Sequence, residues 1–145
     1  MSVQPRPADG YAGDVTATQA WELLRDDASA VLVDVRTDAE WRYVGVPDLR
    51  ELGRQAQLVE WSQYPTGQLN PRFLDQLRAA GVTEQTPVVF LCRSGQRSIG
   101  AAQAATAAGL GPAYNVLEGF EGATGPDGHR GHEGWRADGL PWVQP

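Results

Sequence analysis

The sequence predicts an α/β fold: a central, mostly parallel sheet of about five strands with helices on both faces. Three observations carry that expectation. Apolar runs of strand length recur at Val31–Val35, Pro87–Leu91 and Ala113–Leu117. They are near-continuous rather than alternating, as in strands buried on both faces. Segments with helix-start chemistry and helical periodicity fall between them.

The elements follow in order. Met1 to Gly10 is polar with two prolines and is expected to be a flexible N-terminal segment, leaving residues 11–145 as a single domain. Thr16 and Gln19 fit a capping box, and the apolar face of Ala20, Trp21, Leu23 and Leu24 predicts a helix from Ala17 to Arg25. Val31–Val35 is a buried strand. Thr37 and Glu40 form a second capping box, opening a short helix through Trp41 and Tyr43. Val44–Pro47 is expected to be a short strand. From Asp48 to Asn70 the signal weakens: Leu58–Trp61 suits a short strand or a helix, and Tyr64–Gly67 a turn. Asn70 is expected to cap a helix with Pro71 at its first position, running to Ala80 and ended by Gly81. Pro87–Leu91 is a strand, Ser98–Ala108 a helix of small residues ended by Gly109, and Ala113–Leu117 a strand. Gly119–Gly134 is glycine-rich and loop-like, and Trp135–Pro145 packs the end.

Composition narrows the function. The chain has 145 residues, a net charge of −6 and twelve basic residues, all arginine. Net acidity argues against nucleic acid or an anionic membrane surface as the main partner. Without lysine there is no Schiff-base mechanism and no lysine-containing phosphate loop. No apolar run reaches the ~18 residues of a membrane span. The start lacks the apolar core of a secretory signal, so a cytoplasmic location is expected. The one cysteine, Cys92, excludes an internal disulfide and a multi-thiolate metal site.

That cysteine stands in an unusual place. It ends the run Pro87–Leu91 and opens the segment Cys92-Arg93-Ser94-Gly95-Gln96-Arg97-Ser98. Ligands of parallel sheets bind beyond the carboxyl ends of the strands. The N–H groups of the following loop and first helical turn lack intrahelical partners and suit an anion. Gly95 lets the backbone curl into a nest, and Ser94, Gln96 and Ser98 add polar groups. From Gln85 to Leu117 there is no acidic residue, while Arg93 and Arg97 lie inside. Such surroundings favour thiolate. A lone buried cysteine is by itself a packing residue. The strand end, the glycine and the two arginines favour a nucleophile for an anionic substrate instead. Arg97 lies five positions after Cys92, giving Cys-x4-Arg. Cysteine phosphatases resemble this loop but have one residue more, so the tighter cradle suits a single sulfur atom better than a phosphoryl group.

The chain resembles the single-domain rhodaneses, a sulfurtransferase family. Cys92 to Ser98 matches the family's active loop. Leu32-Val-Asp34-Val-Arg36 with Glu40-Trp41 is similar to its first signature, and Leu117–Gly122 with Trp135 and Gly139-Leu-Pro141 to its closing pattern. The match runs from about Tyr11 to Trp142. It departs at Val44-Gly45-Val46-Pro47, where members usually carry a histidine after the glycine, and in the long Asp48–Asn70 connection, which is expected to cover the site.

The resemblance implies a rhodanese-like fold and a two-step exchange. Cys92 takes sulfane sulfur from a small anionic donor such as thiosulfate, and the loop from Arg93 to Ser98 binds that donor. The Cys92 persulfide then passes sulfur to cyanide, a thiol or a protein acceptor. No metal or organic cofactor is implied. Asp34, Arg36 and Glu40 are implied to be structural neighbours of the site, with Arg36 paired to Glu40 and Asp34 orienting backbone. Two other readings stay open: a persulfide carrier in a protein relay, and a phosphatase or arsenate-reductase-like enzyme, the latter disfavoured by loop length. His129 and His132 read as exposed loop residues rather than a metal pair, Trp135 as a core anchor, and Trp61 and Tyr64 as pocket or packing residues.

Overall fold

The computed structural model describes residues 5–63 and 66–144. Eight strands and four α-helices alternate along the chain: β1 (Arg6–Ala8), β2 (Tyr11–Val15), α1 (Ala17–Asp26), β3 (Val31–Asp34), α2 (Asp38–Tyr43), β4 (Val46–Pro47), β5 (Gln57–Leu58), α3 (Phe73–Ala79), β6 (Val88–Leu91), α4 (Arg97–Ala107), β7 (Ala113–Val116) and β8 (Trp142–Val143). Six of the strands form one sheet in the order β1-β2-β7-β6-β3-β5. Every pairing in it is parallel except β1 with β2. β4 and β8 make a separate antiparallel pair.

Strand alternation sends side chains to two cores, one on each face of the sheet. Along β6, Val88 and Phe90, followed by Cys92, face Phe73 and Leu77 of α3 and Ala101, Ala102 and Ala105 of α4. Val89 and Leu91 face Ala17, Ala20 and Leu24 of α1, together with Phe120 and Trp135. Helices therefore cover both faces, as the near-continuous apolar strands require. Both capping boxes form, Thr16 with Gln19 and Thr37 with Glu40. The small side chains Ala101, Ala102 and Ala105 pack α4 against the sheet beside β6 and β7.

Several expectations are corrected. The sheet has six strands rather than about five. The N-terminal segment is not loose throughout, because Arg6–Ala8 pairs with β2 as an edge strand; residues 1–4 lie outside the described residues. Gly13 permits that approach: its φ is +154°, and a Cβ there would meet the Arg6 carbonyl oxygen at 2.7 Å. α3 begins at Phe73, because Asn70 spends its side-chain oxygen on the Arg72 N–H in a preceding turn.

The 48–70 connection is less irregular than its sequence. It contains a 3-10 turn at Arg50–Leu52, then β5, which extends the sheet beside β3. The Val59 and Trp61 N–H groups continue that contact to the Asp34 and Val35 carbonyls at 3.1 Å. Trp61 is a packing residue: its ring meets Phe73 edge-on at 5.0 Å and lies against Gly100 of α4. Tyr64 lies outside the described residues. Trp135 is fully buried, edge-on to Trp21 at 5.9 Å, and its ring N–H donates to the Pro141 carbonyl at 2.6 Å.

Candidate active site

β6 delivers Cys92 to the carboxyl edge of the sheet, between β3 and β7. The loop Arg93–Gln96 then turns into α4. Two features shape it. Gly95 has φ +92°, and a Cβ there would run into the Leu117 carbonyl. Its N–H donates to Cys92 Sγ at 3.2 Å, so the curled backbone already aims a donor at the sulfur. The segment after β7 buttresses the turn: the Phe120 N–H donates to the Cys92 carbonyl at 2.8 Å, and the Glu121 N–H to that of Arg93 at 3.0 Å. Among the described residues, the Ser94 and Gln96 N–H groups donate to no protein acceptor.

Cys92 is 1% exposed, and its sulfur has a second neighbour, Ser98 Oγ at 3.2 Å. The Ser98 hydroxyl donates to Asn115 Oδ1 on β7. Asn115 in turn donates to Asp14 Oδ1 on β2 at 2.9 Å, and Asp14 also accepts from the Tyr11 hydroxyl at 2.7 Å. Sequence reading missed Asn115 and Asp14. The available signal was the polar Asn115 inside the strand-like run Ala113–Leu117; Asp14, beside Gly13, carried none.

The arginines divide their roles. Both terminal nitrogens of Arg97 are bound to the Glu40 carboxylate, at 2.7 and 2.9 Å. Burial works against the Glu40 charge, but the Arg97 hydrogen bonds and charge outweigh it and hold the carboxyl below its ordinary range. Glu40 likewise strengthens the hold of Arg97 on its proton. Arg93 is exposed and, among the described residues, has no ion-pair partner. Arg93 and Arg97 line a cleft of about 240 Å3 with Thr37, Glu40, Ser62, Gln63 and Gly67. The tip of the 48–70 connection thus forms one wall of it.

The expected Arg36–Glu40 pair does not form. Arg36 instead pairs with Asp34, Nη2 to Oδ2 at 2.6 Å, with both side chains fully buried. Two residues apart at the end of β3, they project on the same side. Arg36 also donates to the Gly45 carbonyl at 2.7 Å and stacks over Phe120, 4.2 Å from the ring centre. The turn that departs from the resembled family's pattern therefore still receives this arginine. His129 and His132 stand in the 119–134 loop, with His132 Nε2 3.0 Å from Asp127. Among the described residues no helix is long and apolar enough to cross a membrane.

Comparison with known proteins bears on the family. The family model described as the STR4 middle domain matches residues 12–145. The crystal structure of Rv0390 from M. tuberculosis superposes with a TM-score of 0.85 at 59% identity, over 93% of this chain and 99% of that one. The chloroplastic protein Thylakoid rhodanese-like of Oryza sativa subsp. indica is 31% identical over 92% of this chain and 25% of its own length. Thiosulfate sulfurtransferase GlpE of Actinobacillus pleuropneumoniae is 27% identical over 88% of this chain and 90% of its own. With its parallel sheet, its cysteine loop between β6 and α4 and these similarities, the chain belongs to the rhodanese-like family.

Proposed function

We propose that the protein is a sulfurtransferase that carries sulfane sulfur on Cys92. The observation that carries the reading is the Gly95 N–H directed at Cys92 Sγ from a loop that ends in a helix N-terminus. Such fixed donors stabilise negative charge on sulfur without reorganising when it develops. The similarity to a thiosulfate sulfurtransferase supports the same chemistry.

Cys92 thiolate attacks the outer sulfur of a small anionic donor such as thiosulfate. A bond forms between Sγ and that sulfur, the donor's sulfur–sulfur bond breaks, and sulfite leaves with the electron pair. A thiophilic acceptor, whether cyanide, a thiol or a protein thiol, then attacks the outer persulfide sulfur and releases Cys92 thiolate. Arg93 meets the donor's charge at the cleft mouth. The loop N–H groups of Ser94, Gly95 and Gln96 hold the transferred sulfur. The near-complete burial of Sγ favours one small sulfur atom reaching it over a bulkier group. Turnover of thiosulfate and cyanide tests the reading: thiocyanate should form with the native protein and not with Cys92→Ser. Hydrolysis of an aryl phosphate without thiocyanate would overturn it.

A further inference from the structure

The hydrogen bonds behind Cys92 have a determined direction. Asn115 Nδ2 lies 2.9 Å from the Asp14 carboxylate and 3.3 Å from the Gly95 carbonyl, both acceptors. The amide must therefore turn its nitrogen to them and its oxygen to Ser98. A hydroxyl has one proton, and Ser98 gives it to Asn115 Oδ1. Toward Cys92 it offers only a lone pair. The thiol can donate to Ser98, but a thiolate there must win the proton back and leave the Asn115 oxygen unpaired. Ser98 and Asn115 are fully buried and Asp14 is 8% exposed, so water is poorly placed to fill the gap.

We propose that Asn115 is a positioning residue for the reacting thiol: oriented by Asp14 and the Gly95 carbonyl, it holds the Ser98 proton away from Cys92 Sγ. The pair acts as a brake on thiolate formation, opposing the Gly95 N–H on the other side. Forming the thiolate means drawing the Ser98 proton off the Asn115 oxygen, so the chain resists ionisation of the free thiol. This rests on Cys92 being the reacting group of the proposed transfer.

The elements packed around the cysteine loop carry other charges. Arg97 of α4 lies nearby with Glu40 of α2 beyond it, Arg93 is in the loop, and Asp34 and Arg36 close the end of β3. β2 contributes Tyr11 and Asp14, and the segment after β7 contributes Glu118 and Glu121. Among the charged groups, Asp14 is the one hydrogen-bonded to Asn115. A double-mutant comparison separates its hydrogen-bond route from plain charge effects.

The experiment is a thiolate titration by ultraviolet absorbance, each protein read against its own Cys92→Ser counterpart. Asn115→Leu removes the acceptor at similar size. It should give about tenfold more thiolate at a fixed pH below the native midpoint, a shift of about one unit. In a Ser98→Ala background the same change should alter the thiolate fraction by less than about twofold. Asp14→Asn is titrated in both backgrounds too, so a poorly folding Asn115→Leu protein still leaves a readout. It should give a several-fold gain that also vanishes without Ser98. No gain with Ser98 present, or an equal gain in both backgrounds, overturns the proposal. Absorbance reads ionisation without substrate, so a failure here and a failure of sulfur transfer are separate results.

Discussion

Arg97 and Glu40, 57 residues apart, grip each other end-on at the cleft, with both guanidinium ends on both carboxylate oxygens. Among the described residues, the cleft therefore presents one compensated cation, Arg97, and one uncompensated cation, Arg93. A bidentate pair of this kind fixes geometry as well as charge. It ties the start of α4 to the start of α2, and with it the end of the cysteine loop.

Donor capture should accordingly depend on Arg93. Arg93→Gln is expected to raise the KM for thiosulfate about tenfold, roughly 1.4 kcal/mol of binding, with kcat changed less than about twofold. Steady-state kinetics at low salt measures it. A fall in kcat with unchanged KM would place Arg93 in the chemical step instead.

Glu40 should couple stability to acid. Its carboxyl is held below its ordinary value of 4.5 in the folded protein. A depressed carboxyl contributes stability above the unfolded value, and that contribution is lost as pH falls through the folded value. Glu40→Gln should cost about 1 kcal/mol at pH ~7, and the gap to the native protein should narrow progressively as the pH falls below 4.5. Urea denaturation across a pH series decides it. A gap that stays constant would mean that the loss does not come from the Glu40 charge, since glutamine keeps the oxygen that accepts from Thr37.

Arg36 should matter for folding first. Its removal leaves Asp34 buried and unpaired, a situation that costs about 3–5 kcal/mol. Arg36→Ala should melt far below the native protein, and what remains folded should keep Cys92 able to take up sulfur. Normal melting with lost turnover would make Arg36 part of the reaction.

Gly95→Ala should abolish transfer. The new Cβ collides with the Leu117 carbonyl at a φ that L-residues rarely adopt, so the loop must open and its N–H leaves Cys92. A drop of about a hundredfold or more in kcat/KM is expected, as when one preorganised donor is removed. Activity within about threefold of native would show that this donor does not act on sulfur.

The legible parts of this molecule were those with strong local signals. β3, β6 and β7 are apolar runs, and both capping boxes announced their helices. β1 and β5 are edge strands of 3 and 2 residues that exist only because β2 and β3 pair with them. β2 hides behind Gly13 and Asp14, residues disfavoured in strands. Cys92 and its loop were readable because thiol, glycine and arginines are contiguous. Its partners were less so: Glu40 was expected near the site but beside Arg36 rather than Arg97, and Asn115 and Asp14, on β7 and β2, were missed. The resemblance implied Arg36 with Glu40, but Arg36 at the strand end closes on Asp34, and Glu40 is taken by Arg97.

The central claim is that Cys92 holds sulfur covalently, and the intact mass of the protein after incubation with thiosulfate tests it directly. The account predicts a gain of one sulfur atom on the native chain, lost again on adding cyanide, and no gain on Cys92→Ser. An unchanged native mass, or the same gain on Cys92→Ser, would contradict it.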